Sequence, residues 1–336
     1  MLEHFQATAN NHIFLRKVFS DGTSMVKPMR FLKSEAELTD RLRRLAVVPR
    51  GSGVVMGIGD DCAIFRPPNS REDLLFTTDL LIEDTHFRRA THSAGDIGWK
   101  ALARGLSDIA AMGGEPRFCL VSLALAPWCD AAWVDGFFRG LLRLAGRTGT
   151  VLAGGDLSHG AILACDVVAA GAVPRGQALR RSGARAGDAI YVSGALGGSA
   201  LGMAAGRGKA WRRHLRPEPR LALGRFLRET VHATAAMDLS DGLSLDLARL
   251  SKASGLGAEI AAPPVWRGAT LGQALHGGED YELLFTAPPR APVPAAFESI
   301  PLTRIGMMHR QSPGKVTMAG KPLAPGGYDH FRGRID

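Results

Sequence analysis

Short apolar runs alternate with helical patterns in the first half of the chain. Between the runs, residues 96–112 place Ile97, Leu102 and Leu106 near one face of a helix that ends at Gly113. Residues 131–145 form a second helical pattern. The apolar runs are each short enough to be a strand, and they lie at 54–58, 74–77, 118–125, 150–153 and 165–173. Strands alternating with helices predict an α/β or α+β domain.

The pattern restarts after Pro174-Arg175-Gly176, which places a predicted domain boundary near residue 175. We therefore expect an N-terminal domain at 34–174 and a C-terminal α+β domain at 175–336. The polar, irregular residues 1–33 are predicted to be a disordered extension, and Ser34 is a candidate N-cap for a first helix. The expected elements of the second half are strands at 189–192 and 282–286, and helices at 221–232 and 243–254.

Composition is typical of a folded protein with a large core, because 46% of the 336 residues are hydrophobic and 22% are charged. The net charge of +9 invites a nucleic-acid interpretation. The basic residues are spread out, however, and no basic stretch is interleaved with aromatic residues. We therefore expect no nucleic-acid partner, and an anionic small substrate is the alternative explanation of the charge.

The four cysteines form no C-x-x-C pair, and no histidine spacing completes a zinc site. Reduced thiols are the default interpretation, which predicts a cytoplasmic protein. The first 30 residues show no basic-then-apolar leader pattern. The longest uncharged run, residues 189–206, is interrupted by five glycines, so we expect no membrane span.

The aspartates carry the clearest chemical signal. Several stand beside Gly, Ser or Thr at the end of an apolar run, where a fold can present hard oxygen ligands to Mg²⁺. The motifs that contain them are Gly59-Asp60-Asp61, Thr77-Thr78-Asp79, Ser107-Asp108, Gly154-Gly155-Asp156 and Asp238-Leu239-Ser240-Asp241-Gly242. Five such motifs in one chain suggest several metal ions that hold a polyphosphate.

Three of the five aspartate motifs also have a simpler explanation. Asp108 falls in the last turn of its predicted helix, where the helix dipole disfavours a carboxylate, and it is either a solvated surface residue or a metal ligand. Gly154-Gly155 either lets the backbone approach a phosphate or is a plain turn that ends a strand. Ser240 or Asp241 is a natural N-cap for the helix that follows.

Other phosphate-binding and nucleophile motifs are missing from the sequence. No Walker motif is present, because Gly208-Lys209, Gly314-Lys315 and Gly320-Lys321 lack the spacing and the following Ser or Thr. No G-x-S-x-G is present either, so nucleophilic catalysis by Ser or Cys has no motif here.

Taken in order, the motifs resemble those of the thiamine-monophosphate kinase family, which belongs to a superfamily with aminoimidazole ribonucleotide synthetase and selenophosphate synthetase. The resemblance covers about residues 35–331. Its more specific parts are His86-Phe87, Gly277-Gly278-Glu279-Asp280-Tyr281-Glu282 and Tyr328-Asp329-His330-Phe331. It implies an α/β plus α+β, two-domain protomer that pairs through its N-terminal domain into a homodimer.

The resemblance also implies a reaction and a set of site residues. ATP would phosphorylate thiamine monophosphate to thiamine diphosphate by direct in-line transfer, with several Mg²⁺ ions on the phosphates. Asp108, Asp241 and Arg181 would be catalytic. Gly155, Asp156, Arg181 and Ser240 would contact ATP, and His86, Glu279 and Tyr328 would face the thiamine phosphate. The implied Mg²⁺ ligands are Asp61, Thr77, Thr78, Asp79, Asp108, Asp156, Asp238 and Asp241.

One position departs from the family pattern. Two residues before His86-Phe87, where glycine is common, this chain has Asp84 next to Glu83. An added carboxylate near a phosphate acceptor either repels it or recruits another cation, which bears on substrate contact more than on the reaction class.

Two alternative functions stay open at this point. Another reaction of the superfamily, such as ATP-driven cyclisation or selenophosphate synthesis, would use the same aspartates, although no cysteine precedes the first glycine-aspartate motif. A non-catalytic RNA-binding module would use the positive charge, but it leaves the aspartates unexplained.

Overall fold

The computed structural model describes residues 35–329 and 333–335. The helices are α1 (Glu35–Leu45), α2 (Ala94–Ala111), α3 (Ala131–Thr148), α4 (Gly198–Ala205), α5 (Gly208–Leu215), α6 (Leu221–Phe226), α7 (Leu243–Ser254) and α8 (Leu271–His276), with a π-helical turn at Leu227–Val231. The strands of the first half are β1 (Val54–Met56), β2 (Ala63–Phe65), β3 (Glu72–Ile82), β4 (Glu115–Leu125), β5 (Val151–His159) and β6 (Ala164–Pro174).

The strands of the second half are β7 (Ala189–Ser193), β8 (Ala235–Asp238), β9 (Gly257–Ile260), β10 (Leu283–Ala287), β11 (Ala296–Phe297), β12 (Ile300–His309), β13 (Val316–Met318), β14 (Lys321–Leu323), β15 (Gly327–Asp329) and β16 (Gly333–Ile335).

The first sheet has six strands in the order β1-β2-β3-β6-β4-β5. β3 and β6 pair along their whole length, from Glu72 opposite Pro174 to Ile82 opposite Ala164. β4 and β5 run parallel, and the other neighbours in this sheet are antiparallel. Side chains alternate between the two faces of a strand, so β3 sends Leu75 into the core and leaves Thr78 exposed.

Helices α2 and α3 cover one face of this sheet and cross each other closely. A side chain at Gly98 would meet the Phe137 carbonyl oxygen, and one at Gly140 would meet the Gly95 carbonyl oxygen. The two glycines therefore let the helix backbones touch, which brings Phe137 into a buried layer between the helices and the sheet.

The opposite face of the sheet carries polar and apolar side chains that remain accessible. Leu80, Asp166, Ser122 and Asp156 are aligned in one row across four strands. Leu80 is 48% exposed, and Ser122 and Asp156 are exposed as well. This outer face is a surface that a further layer could cover.

The second sheet has eight strands, in the order β14-β13-β9-β12-β7-β10-β8 with β11 beside β12. Helix α7 packs Leu243, Leu247 and Leu250 into the core on one side of it. On another side, Ala110 and Ala111 of α2 join a buried cluster that includes Phe285 of β10. Helix α2 is therefore part of the packing of both halves.

Most of the expected elements are confirmed. The helix expected at 96–112 is α2, and the helix expected at 243–254 is α7, with Gly255 as its left-handed C-cap. The helix expected at 131–145 extends to Thr148, and the strand expected at 165–173 is β6. Ser34 and the extension at 1–33 lie outside the described residues, and the boundary at residue 175 stays a prediction.

Three predictions about the ends of elements were wrong. The strand expected at 150–153 continues through Gly154, Gly155 and Asp156, because both glycines adopt extended backbone with φ near 150° that pairs with β4. Residues 77–79 lie in the middle of β3, because pairing with β6 outweighs their polarity. The helix expected at 221–232 changes to a π-helical turn at Leu227.

Within the described part of the chain, no helix is long and apolar enough to cross a membrane.

Candidate active site

A cleft of about 1370 Å³ is lined by residues from both halves of the chain. It brings together most of the polar residues that the sequence singled out. The predicted site residues on its walls are Asp79, His86, Asp108, Arg181, Asp238, Ser240, Asp241, Glu279 and Tyr328.

Three carboxylates meet beside this cleft. Asp61 follows β1, Asp108 lies in the last turn of α2, and Asp238 is the last residue of β8. One oxygen atom from each lies within 4.8 Å of the other two. Residues from three separate parts of the fold therefore converge on one point. This position agrees with the metal-ligand interpretation of Asp108.

The carboxylate cluster is electrostatically unfavourable by itself. Burial raises the pKa of all three groups, and for Asp108 and Asp238 the neighbouring carboxylates raise it further. The Oδ2 atom of Asp61 is buried without a hydrogen-bond partner. A divalent cation would satisfy that atom and offset the repulsion, and carboxylate oxygens are the donors that Mg²⁺ prefers. The residues present therefore fit a magnesium ion.

Arg181 bonds to the same cluster. Its Nε donates to Asp61 Oδ1 at 3.1 Å, and its Nη2 donates to the same oxygen. Its backbone N–H donates to Asp60 at 3.2 Å. Burial and the Asp61 charge raise the pKa of Asp60 to about 7. The guanidinium therefore places a positive charge beside the carboxylate cluster, where it would also attract a bound polyphosphate.

The start of α7 is fixed differently from the prediction. Neither Ser240 nor Asp241 is its N-cap, which is Gly242 and has no side-chain cap. Instead, Asp246 reaches back from the first turn, and its Oδ2 accepts from the N–H groups of Asp241 and Gly242 at 3.0 Å each. Arg249 then bonds to Asp241 and, at 3.0 Å, to Asp246. These bonds hold the loop before α7, and both Ser240 and Asp241 line the cleft.

Helix α2 carries four charged residues at four-residue intervals, and the last three of them face charged groups around the cleft. Lys100 is fully buried, and its Nζ lies 2.9 Å from Glu279 Oε2. Arg104 Nη2 lies 2.9 Å from Asp79, and Asp108 belongs to the carboxylate cluster. The spacing puts them on one face of the helix, which we call the charged face of α2.

Glu279 is held by charge and backbone geometry. Lys100 and His214 keep the pKa of its carboxyl at about 2 despite its burial. Its backbone φ of 64° is in the left-handed region, which residues other than glycine seldom adopt. His86 Nδ1 accepts the N–H of Ile82 at 3.1 Å, which orients the ring on the cleft wall.

Asp84, at the position where glycine is common, and its neighbour Glu83 have different environments. Asp84 lines the cleft and adopts a φ of 64°. Glu83 Oε2 accepts from Leu163 N at 3.0 Å and from Trp128 Nε1 at 3.3 Å. Glu83 therefore has a structural role, and Asp84 alone adds a carboxylate to the cleft.

The structure does not bring every predicted ligand to the carboxylate cluster. Thr77 Oγ1 donates to Asp108 Oδ2 at 2.5 Å and so belongs to it. Thr78 points to the outer face of the sheet, where its hydroxyl donates to Asp166 at 2.7 Å. Gly155 and Asp156 are exposed on β5 and are not part of the cleft wall.

The sequence analysis missed several charged residues of the cleft. Lys100 and Arg104 lie eight and four residues before Asp108, respectively, and this spacing within an apolar helix was a readable signal. Asp246 and Arg249 gave no such signal, because their role depends on how the loop before α7 turns back.

Family models match both halves of the chain. The N-terminal domain of AIR synthase related proteins matches residues 59–175, and the C-terminal domain of the same proteins matches residues 185–318. Two consecutive domains of one family confirm the predicted architecture, which combines mixed α/β elements in two units.

Curated relatives match over most of their length. The thiamine-monophosphate kinase of Salmonella typhimurium is 40% identical over 306 residues, which cover 83% of this chain and 92% of the relative. The thiamine-monophosphate kinase of Bacillus subtilis is 33% identical over 315 residues, which cover 84% and 95%.

Solved structures give the same result. A structure described as AaThiL complexed with AMPPCP and TMP is 31% identical, has a TM-score of 0.77, and covers 88% of this chain and 97% of its own. The hydrogenase maturation protein HypE in complex with ATP is 20% identical with a TM-score of 0.62, which shows a shared fold alone.

Proposed function

The chain belongs to the thiamine-monophosphate kinase family, and from this premise we propose that it transfers a phosphoryl group from ATP to thiamine monophosphate. The products are thiamine diphosphate and ADP. The observation that carries the assignment within this molecule is the convergence of Asp61, Asp108 and Asp238 on one buried point beside a cleft. This is the arrangement that phosphoryl transfer requires, because its catalysis depends on positioning and charge.

The proposed Mg²⁺ ligands divide into two groups by location. Those at or beside the cleft are Asp61, Thr77, Asp79, Asp108, Asp238 and Asp241. Thr78 and Asp156 lie on the outer face of the sheet. When bound, Mg²⁺ neutralises phosphate charge and orients the transferred group. The protein contributes a fixed set of oxygens, which Arg181 and Arg249 hold in place by hydrogen bonds.

ATP is proposed to bind along the cleft wall that contains Ser240 and Arg181. Ser240 and Arg181 line that part of the wall, and Arg181 adds a cation beside the phosphates. Gly155 stays a proposed ATP contact on family grounds, with extended backbone at φ 152° that a side chain would disturb.

The acceptor needs orientation and no general base. The attacking atom is a phosphate oxygen that is already largely ionised at neutral pH, so no side chain has to remove its proton. His86, Glu279 and Tyr328 line the cleft and are proposed to face thiamine monophosphate. Asp108, Asp241 and Arg181 act on the transferred group by fixing its charge and position, and no phosphoenzyme forms.

We also propose that the enzyme is a homodimer formed through the outer face of the first sheet. Leu80, which also borders the cleft, contributes 48% exposed apolar surface there, and Asp166, Ser122 and Asp156 continue the row. A sheet face of this kind is commonly buried against a second layer. A second copy of the chain supplies such a layer by two-fold symmetry.

A cytoplasmic location is proposed from the cysteines and the substrates. Cys62, Cys119, Cys129 and Cys165 are free thiols, and burial raises the pKa of each. Such thiols persist in a reducing compartment, where ATP is also available.

The test of the reaction is incubation of the purified protein with ATP, Mg²⁺ and thiamine monophosphate, followed by phosphorus NMR. Thiamine diphosphate that appears in equal amount with ADP supports the proposal. ADP with free phosphate and no diphosphate product would assign the site to another acceptor. No ATP consumption would contradict a kinase altogether and would favour a binding module.

A further inference from the structure

The part of the cleft beyond Glu279 is walled by aromatic rings to which the family pattern assigns no role. Trp211 of α5 lines the cleft and is half-buried. Its ring stacks on His214, with centroids 5.1 Å apart and planes at 16°. His92 stands edge-on to both rings, at 5.3 Å from Trp211 and 5.7 Å from His214. We call these three residues the aromatic wall.

The aromatic wall adjoins the ion pair formed by Glu279 and Lys100. His214 Nδ1 lies 3.3 Å from Glu279 Oε2, and Lys100 Nζ lies 2.9 Å from the same oxygen. Burial, reinforced by the Lys100 ammonium, lowers the pKa of His92 to about 4 and that of His214 to about 3. Both imidazoles are therefore neutral at pH 7, so the two histidines add no positive charge beside the Glu279 carboxylate.

We propose that Trp211, supported by His214 and His92, is the surface on which the heteroaromatic cation of the acceptor stacks. This inference rests on the proposed function and deepens it by assigning the organic half of the substrate to named residues. Thiamine monophosphate has a cationic thiazolium ring and a pyrimidine ring, and flat cations of this kind bind favourably to indole faces.

The positions of the two ends of the cleft agree with this assignment. The charged face of α2 runs from Lys100 beside the aromatic wall, through Arg104, to Asp108 in the carboxylate cluster. Arg104 lies between them along the helix, and the charges of Asp79, Glu279 and Asp108 raise its pKa despite its burial. An acceptor whose phosphate reaches toward the cluster would extend its rings toward Trp211.

The local packing makes the wall rigid and leaves apolar surface uncovered. Gly202 of α4 lets that helix touch the backbone of α5 at Ala210, the residue before Trp211. Met203, also on α4 and on the cleft wall, is 63% exposed. An exposed Met beside a half-buried Trp on a concave surface is typical of a site for an apolar or aromatic ligand.

The test compares Trp211→Leu with Trp133→Leu. Trp133 is a matched control, because it is also half-buried and stacked on a ring, Phe137, but lies outside the cleft wall. We expect Trp211→Leu to raise the dissociation constant of thiamine monophosphate about tenfold, measured by calorimetry, and to leave the KM for ATP within about twofold. Trp133→Leu should change neither value.

Thiamine without its phosphate isolates the ring contribution. Used as a competitive inhibitor, it should lose about the same factor of affinity in Trp211→Leu as the phosphorylated substrate does. Binding of both compounds within twofold of the wild-type value would overturn the proposal.

A measurement on the wild-type enzyme covers the case in which Trp211→Leu does not fold. Thiamine monophosphate should protect Trp211, and not Trp133, from oxidation by N-bromosuccinimide, as read by peptide mass spectrometry. Equal oxidation with and without the compound would overturn the inference. If the wild-type enzyme makes thiamine diphosphate while Trp211 is unprotected, the inference fails and the kinase assignment stands.

Discussion

At the scale of the residue, Asp108 shows how a functional group can be locally unfavourable. It lies at the negative end of α2, it is near Asp61 and Asp238, and burial with these neighbours raises its pKa. Nothing in the helix itself benefits from a carboxylate at this position. Its presence is explained by a cation that binds between the three carboxylates.

Replacement of Asp108 by Asn should separate function from folding. We expect kcat to fall at least a hundredfold, because the cluster loses one of its charges toward the cation. The melting temperature without Mg²⁺ should stay the same or rise, since repulsion within the cluster is relieved. Asp135→Asn, on the exposed surface of α3, is the control. A near-normal rate for Asp108→Asn would contradict the metal role.

His92 predicts a dependence of stability on pH. Its pKa is about 4 in the folded state and about 6.5 in the unfolded chain, so unfolding takes up a proton between these values. This contribution to stability is present above pH 6.5 and is lost as the pH falls toward 4. Burial raises the pKa values of Asp60 and Asp246 to about 7, so these two groups have the opposite effect and increase stability as the pH falls.

A comparison of variants isolates the histidine from these opposing groups. We expect the unfolding free energy of His92→Gln relative to wild type to improve by about 1 kcal/mol between pH 6.5 and pH 5. Urea unfolding at each pH measures it. A difference that is constant across this range would show that His92 does not stay neutral.

At the scale of the element, the spacing of apolar residues and the glycines that end helices predicted much of the fold. Helix α2 was predictable because its apolar residues repeat with helical spacing and Gly113 follows its end with a φ of 68°. The extension of β5 through Gly154 and Gly155 was not predictable, because pairing with β4 determines where this strand ends, and the local sequence does not show that pairing.

The crossing of α2 and α3 gives an element-scale prediction. Gly140→Ala would place a methyl group against the Gly95 carbonyl, and we expect a loss of about 1–3 kcal/mol of stability. Gly146→Ala on the same helix meets no atom within 4 Å, and it should gain about 0.5–1 kcal/mol because alanine favours a helix. Thermal unfolding of both variants checks this pair, and equal shifts would refute the close crossing.

At the scale of the whole molecule, the site depends on segments far apart in sequence. Aspartate motifs predicted the members of the carboxylate cluster, since each stands at a recognisable break in the pattern. The sequence could not predict that Lys100 would meet Glu279, or that His92 would meet Trp211, because these contacts depend on how the two halves pack together. The positions of Thr78 and Asp156 on the outer face were equally hidden from local patterns.

The proposed dimer is tested at this scale. Leu80→Arg should convert the protein from dimer to monomer, because it places a charge on the outer face of the first sheet; since Leu80 also borders the cleft, the measured quantity is the mass and not the activity. Leu142→Arg is the matched control, since Leu142 is also 48% exposed but lies on α3. Sedimentation equilibrium measures the mass, and a Leu80→Arg variant that remains a dimer would contradict this interface.

The charged face of α2 has a consequence for substrate selection by length. A helix rises about 1.5 Å per residue, so Lys100 and Asp108 are separated by about 12 Å along a rigid axis. Because the two residues belong to one helix, this separation cannot adjust to a ligand as a loop could. The helix therefore keeps the two parts of the cleft at a fixed distance from each other. A homologue of thiamine monophosphate with extra methylene groups between ring and phosphate would place either its rings or its phosphate correctly, but not both.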